Sequence, residues 1–284
     1  MPRARWRDVA ASAAMAAAWL LPLAAQSAPP PADVSTKALV AAARKYVGEY
    51  EKNFAYLVAD EWYQQVQRDR EGHILNQRTL KSEIFLTYLQ ADGEWIAVRD
   101  VIEVDSKPVV NRERLLDLLA KGGQFRGVAR QVIDSNARYN IGSVSRNFNE
   151  PTLPLLLFEP KRVASVEFDR KRLSRDGPTT LATLSFEERA SGTVVGGADG
   201  PAPAKGTFVL DAATGTVRET TFEIKHEDIR ASLKTQYELD TKLNLWLPAT
   251  FSERYERTRD VKDLIECEAR YSNYRRFETT GRIK

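Results

Sequence analysis

Hydrophobic and polar residues along this chain alternate with two different periods, and the change from one to the other outlines the fold. Leu39, Ala42, Ala43, Tyr46, Val47 and Tyr50 recur at i, i+3, i+4, i+7, i+8 and i+11, one face of a helix, with Ser35 placed to cap its start. From there the period drops to two. Strands are predicted at about 56–67, 79–90 and 94–105, separated by the turn signals Glu71-Gly72 and Asp92-Gly93. In the third of these, Ile96, Val98, Ile102 and Val104 share one face and Trp95, Ala97, Arg99 and Val101 the other, so each side is expected to be partly covered.

Helical spacing returns over about 111–158. Asn111 is read as the cap of a short helix through Ala120, ended by Gly122-Gly123, and Phe125, Val128, Ala129, Val132 and Ile133 form a second stripe. A segment rich in Asn and Arg follows, then Leu153–Phe158 beside Pro151 and Pro154. The rest alternates again, with strands predicted at 163–171, 180–189, 206–211, 216–224, 229–239, 245–255 and 264–274. Residues 191–206, rich in Gly, Ala and Pro, read as a long mobile hairpin loop. Consecutive strands with short turns give an antiparallel sheet. The fold class expected is α+β: a single, strongly curved antiparallel sheet of about ten strands, an open half-barrel wrapped around a few helices.

The N-terminus has a different character. Arg3, Arg5 and Arg7 precede an apolar run from Ala10 to Leu23, followed by the small residues Ala24, Ala25, Ser27 and Ala28. That order is a secretory signal peptide over residues 1–27, and it implies a periplasmic or secreted protein. Residues 28–34, with three prolines, read as a tether, and 35–284 as one domain with the helical insertion. Removing the signal leaves a nearly neutral chain, with net charge falling from +3 to +1 as Arg3, Arg5, Arg7 and Asp8 are lost. This argues against a nucleic-acid partner, whose affinity depends on concentrated positive charge. No later segment reaches the roughly 20 apolar residues of a membrane-spanning helix.

Candidate chemistry is sparse. Cys267 is the one cysteine, too far from the apolar run to carry a lipid anchor, and it alternates with Ile265, Ala269 and Tyr271 as a small buried residue. The two histidines, His73 and His226, stand at turn positions that look solvated. No nucleophile elbow and no set of zinc ligands is present, so no catalytic residue, metal or cofactor is expected. Two polar clusters stand out: Arg138, Tyr139 and Asn140 with Arg146 and Asn147, and Tyr271–Phe277. Such residues satisfy buried backbone groups or hold the polar end of a ligand.

Gly206–Asp211, Thr214–Arg218 and Leu245-Trp246-Leu247-Pro248 carry a resemblance to the periplasmic lipoprotein-sorting superfamily, the carriers and acceptors of outer-membrane lipoprotein traffic. Val98–Val101, Ala137–Gly142, Arg146–Asn149 with Pro151–Leu153, and Tyr271–Phe277 resemble a group of secreted bacterial proteins with no assigned activity. The first resemblance implies a curved sheet around helices and an apolar concavity for acyl chains. The expected role is non-enzymatic binding of a hydrophobic ligand, a lipid or acylated protein, in the cell envelope. The alternatives are an interaction or sensor module with an envelope protein partner, and a hydrolase with an unrecognised site. Phe85, Trp95, Leu153, Leu155, Leu156, Leu157 and Phe158 are the candidate lining or lid of the concavity.

Overall fold

The computed structural model describes residues 33–277 except 55, 111, 113, 122–123, 143, 145, 147–149, 191, 198–199, 227 and 258–263. The signal peptide, most of the tether, Asn111 and Asn147 therefore lie outside the described residues. The chain opens with helix α1 (Thr36–Asn53), capped where expected: the Ser35 side chain accepts from Ala38 N at 3.3 Å. Strands β1 (Leu57–Arg68), β2 (Ile74–Leu89), β3 (Glu94–Val104) and β4 (Lys107–Pro108) follow, then helices α2 (Leu115–Ala120) and α3 (Phe125–Asn136). After a 3-10 segment at Leu153–Phe158 come β5 (Val166–Asp176), β6 (Thr179–Glu188), the two-residue pair β7 (Gly196–Gly197) and β8 (Gly200–Pro201), and β9 (Ala204–Asp211). β10 (Val217–His226), β11 (Ile229–Asp240), β12 (Leu245–Arg257) and β13 (Leu264–Arg276) complete the described chain.

Eleven of these strands form one open antiparallel sheet in the order β4-β3-β2-β1-β13-β12-β11-β10-β9-β6-β5. Its curvature follows from what α1 touches. Trp95 of β3 packs on Tyr50 and Phe54 near the end of α1, while Arg170 N of β5 donates to Thr36 Oγ1 at its start, at 3.2 Å. Nine strand spacings separate β3 from β5, about 43 Å in a flat sheet. The 18 residues of α1 span only about 27 Å. The sheet therefore wraps around the helix. The approach is close: Gly215, at φ +75° between β9 and β10, sits against Ala42, where a Cβ would collide with the helix backbone.

Both faces of one half of the sheet are covered. Inside the curve, Leu39, Ala43, Val47 and Tyr50 of α1 join Leu57, Ala59, Tyr63, Leu86, Trp95, Phe208, Phe222, Phe251 and Ile265 in one apolar cluster. On the outer face, α2 and α3 bury Leu115, Val128, Ala129 and Val132 against Val58, Phe85 and Val98. The helical insertion is thus divided, with α2 and α3 outside the curve and Leu153–Phe158 within it. An amphipathic stripe shows that a helix buries one face, not which side of a sheet receives it.

Several expectations are corrected. The short helix begins at Leu115 with Arg114 as its cap, and no side chain caps it. The strand expected from Val163 begins at Val166 and runs to Asp176, since Val163–Ser165 is a 3-10 turn. The loop after β6 is tied down, because the Glu188 carboxylate accepts from Val194 N at 2.8 Å and Ala204 N at 2.9 Å. His226 is half-buried at the end of β10 while His73 is exposed. Val104 does not share a face with Ile96 and Val98: the β2–β3 register slips between Lys81↔Glu103 and Ser82↔Val101, a bulge at Ile102 that turns Val104 inward.

Candidate functional site

The interior of the curve has two parts. The first is the apolar segment Leu153–Phe158, whose five expected residues are all at most 6% exposed. Prolines at 151 and 154 limit the backbone to a brief 3-10 run. Phe158 stacks on Phe168 at 5.4 Å and meets Phe208 at 4.6 Å. The flanks of the segment are fixed by hydroxyls. The Pro151 carbonyl accepts from Thr235 Oγ1 at 2.8 Å and Tyr237 OH at 2.9 Å. At the other end, Glu159 accepts from Tyr88 OH at 2.6 Å and lies 3.3 Å from both Lys161 Nζ and Arg162 Nε. Trp95 stands beside it in an aromatic group with Tyr50, Phe54 and Tyr88, at 4.9–5.9 Å between ring centroids. Phe85 is not part of this lining. It faces outward against Phe125 and Phe277, because it follows Ile84 in a strand whose neighbours alternate sides.

The second part is a buried polar network centred on Arg146. Its Nη1 donates to Cys267 Sγ at 2.9 Å and Tyr63 OH at 3.3 Å, and its Nη2 to Gln65 Oε1 at 2.6 Å and the Ile141 carbonyl at 3.3 Å. Tyr63 OH donates in turn to Glu253 Oε1 at 3.0 Å, and Tyr255 OH to Glu253 Oε2 at 2.5 Å. Burial raises the Glu253 pKa, opposed by Arg146 and the two hydroxyls. Burial and Glu253 push the Cys267 thiol up to about 12, which leaves it an unreactive acceptor. Next to this network, Arg99 lies over the Tyr63 ring at 4.1 Å and grips Glu61 with two hydrogen bonds of 2.5 and 2.8 Å.

Among the described residues of the expected polar cluster, Arg146 is buried in the interior and Tyr139 packs half-buried against it. Arg138 is exposed and stacks on Tyr139 at 4.9 Å. Tyr139 contributes its carbonyl, which accepts from Gln65 Nε2 at 3.0 Å and Arg78 Nη1 at 3.1 Å, while Asn140 N closes the turn onto Ala137 O. Tyr63, Gln65, Glu253 and Tyr255 were not singled out by the sequence. The available signal was parity: Glu61, Tyr63 and Gln65 continue the inward face set by Leu57 and Ala59, and Glu253 lies between Phe251 and Tyr255.

Outside the curve, three grooves of about 420–520 Å³ lie along the sheet, none of them lined by Leu153–Phe158 or Trp95. The largest is bordered by Glu167, Asp169, Lys171, Glu187, Lys205 and Glu223, a mixture of charges of both signs. Asp69, Glu71 and His73 gather in the β1–β2 turn with ligand atoms within 4.8 Å of one another, and two of the three are exposed.

No protein-family model and no curated protein matches the sequence. Solved structures similar to this chain include a DUF1329 family protein from Desulfovibrio piger, at 10% identity and a TM-score of 0.42, covering 87% of this chain and 95% of that one. A domain from Vibrio parahaemolyticus assigned to outer membrane lipoprotein sorting matches at 12% identity and a TM-score of 0.35, over 87% of this chain and 94% of its own. The Mycobacterium tuberculosis lipoprotein LppX matches at 10% identity and a TM-score of 0.29, over 87% of this chain and 100% of its own.

Proposed function

We propose that this protein is an exported, non-enzymatic binding protein for a hydrophobic ligand, a lipid or the acyl chains of a lipoprotein, in the cell envelope. One observation carries the reading. Beside α1, the interior of an open, apolar, curved sheet is filled by six residues of 3-10 structure, Leu153–Phe158. Such a segment has little structure of its own to lose. Its leucines bury about the kind of surface an acyl chain buries, at ~0.8 kcal/mol per methylene. Exchanging one for the other leaves the apolar contacts of the sheet intact, and the anchors at Pro151 and Glu159 lie outside the exchanged residues. The Arg-rich, apolar N-terminus supplies the export signal.

The test is native mass spectrometry of gently purified protein, together with titration of a fluorescent fatty-acid probe. A co-purifying lipid or saturable probe binding is expected. A wild-type protein that carries no lipid and binds no probe overturns the reading.

A further inference from the structure

Several buried polar atoms inside the curve have no partner among the described residues, Tyr271 OH, Thr220 Oγ1 and Arg146 Nε among them, and two more stand together in one aromatic group: the Tyr50 hydroxyl and the Trp95 indole N–H. Both side chains are 2% exposed, and their rings lie 5.9 Å apart. Buried polar groups in native proteins are nearly always paired, and an orphan points to something that belongs beside it. Two neighbouring hydroxyls are paired. Tyr88, whose ring is 4.9 Å from Trp95, gives its hydroxyl proton to Glu159, and Tyr237 gives its own to the Pro151 carbonyl. Those two hydroxyls hold the flanks of Leu153–Phe158. Helix α1, which carries Tyr50, packs directly on the segment, and its leucine side chains have no acceptor to offer.

We infer that Tyr50 and Trp95 donate to the carbonyl oxygen of an acyl ester or acid that takes the place of Leu153–Phe158 in the ligand-bound protein. This rests on the hydrophobic-ligand reading above and names the ligand class. An indole N–H donates only, and the Tyr50 hydroxyl still has its proton to give, so the complementary group is an acceptor. A carbonyl oxygen has two lone pairs and serves both donors. A plain hydrocarbon fills the same volume and serves neither. The ligand-free form buries two unpaired donors, and the ester- or acid-bound form relieves them.

Tyr50→Phe removes one O–H and little else. In the ligand-free protein it deletes an orphan, so the variant melts above the wild type. Binding is read by displacement of a bound naphthylamine dye with two competitors of similar length, methyl laurate and tridecane. Wild type is expected to favour methyl laurate by about tenfold, the scale of one net hydrogen bond. Tyr50→Phe and, separately, Trp95→Phe narrow that gap, and tridecane competes equally well against wild type and Tyr50→Phe. Equal competition by both compounds in wild type overturns the inference while leaving the hydrophobic-ligand reading standing. So does a gap that neither variant changes, or a Tyr50→Phe protein that melts below wild type, the mark of a hydroxyl holding structural water only. Failure of both compounds to compete removes the hydrophobic-ligand reading as well.

Discussion

The two parts of the interior handle buried polarity in opposite ways. Around Arg146, the two terminal nitrogens of the guanidinium find four acceptors while its Nε has no partner among the described residues, and its neighbours Tyr63, Tyr255 and Glu253 close on one another. The donors Tyr50 and Trp95 come from a regular helix and strand and have no partner among the described residues. A network paired in this way fixes one arrangement, because loss of any member strands the others. A patch with orphan donors is the part of the core that a polar-ended ligand improves. The difference separates a structural lock from the proposed ligand seat within one continuous sheet face.

Arg146→Met is the most severe way to break the lock. It strands the buried Gln65 and Ile141 oxygens and removes a charge that favours the Glu253 carboxylate, a loss of about 3 kcal/mol, read as a lower midpoint in chemical denaturation. Leu156→Asn attacks the seat instead. It loses apolar packing and buries an amide, for about 3 kcal/mol in the ligand-free protein, and saturating fatty acid restores part of that loss if the ligand displaces the segment. Tyr63→Phe removes a paired hydroxyl and is expected to cost about 1–2 kcal/mol, opposite in sign to Tyr50→Phe. The two isosteric changes, measured side by side by calorimetry, sharpen the comparison most directly.

A smaller effect concerns pH. Burial pushes the Glu51 carboxyl at the end of α1 up to about 7, with Glu159 adding to the shift and Lys161 and Lys52 opposing it. Burial and Glu94 push Glu150, before the apolar segment, to about 8. Carboxyls whose folded pKa exceeds the unfolded value hold extra protons in the native state. Stability is therefore highest in mild acid and falls as pH rises from the ordinary carboxyl range through about 7 to 8. Melting curves across that window should show the fall, and Glu51→Gln should flatten it.

The two-residue period over 229–239 predicts a strand, and β11 is one, its even-numbered residues facing mostly solvent. Apolar residues on both faces of β3 foretold double cover, with Trp95 and Ala97 now found within the curve and Ile96 and Val98 on the α3 side. What the sequence hid depended on partners distant along the chain. Phe85 and Trp95 are equally apolar, and only the register of β2 and β3 sends them to opposite faces. Arg146 reads as a loop cation because its acceptors belong to strands at opposite ends of the chain, Tyr63 and Gln65 in β1 and Cys267 in β13. The bulge at Ile102 has no composition signal, since it adds one residue of ordinary strand character.

The pairing of β1 with β13 joins the beginning of the domain to its end, with Trp62 opposite Arg270 and Arg68 opposite Leu264. A chain that emerges N-terminus first can form the β1–β4 ribbon early and cover it with α1, α2 and α3, but the β1 edge stays unpaired until the last described strand arrives. Contacts this distant in sequence make folding slow. The final described strand thus acts as a timing device: its arrival joins the β1–β4 ribbon to the rest of the sheet.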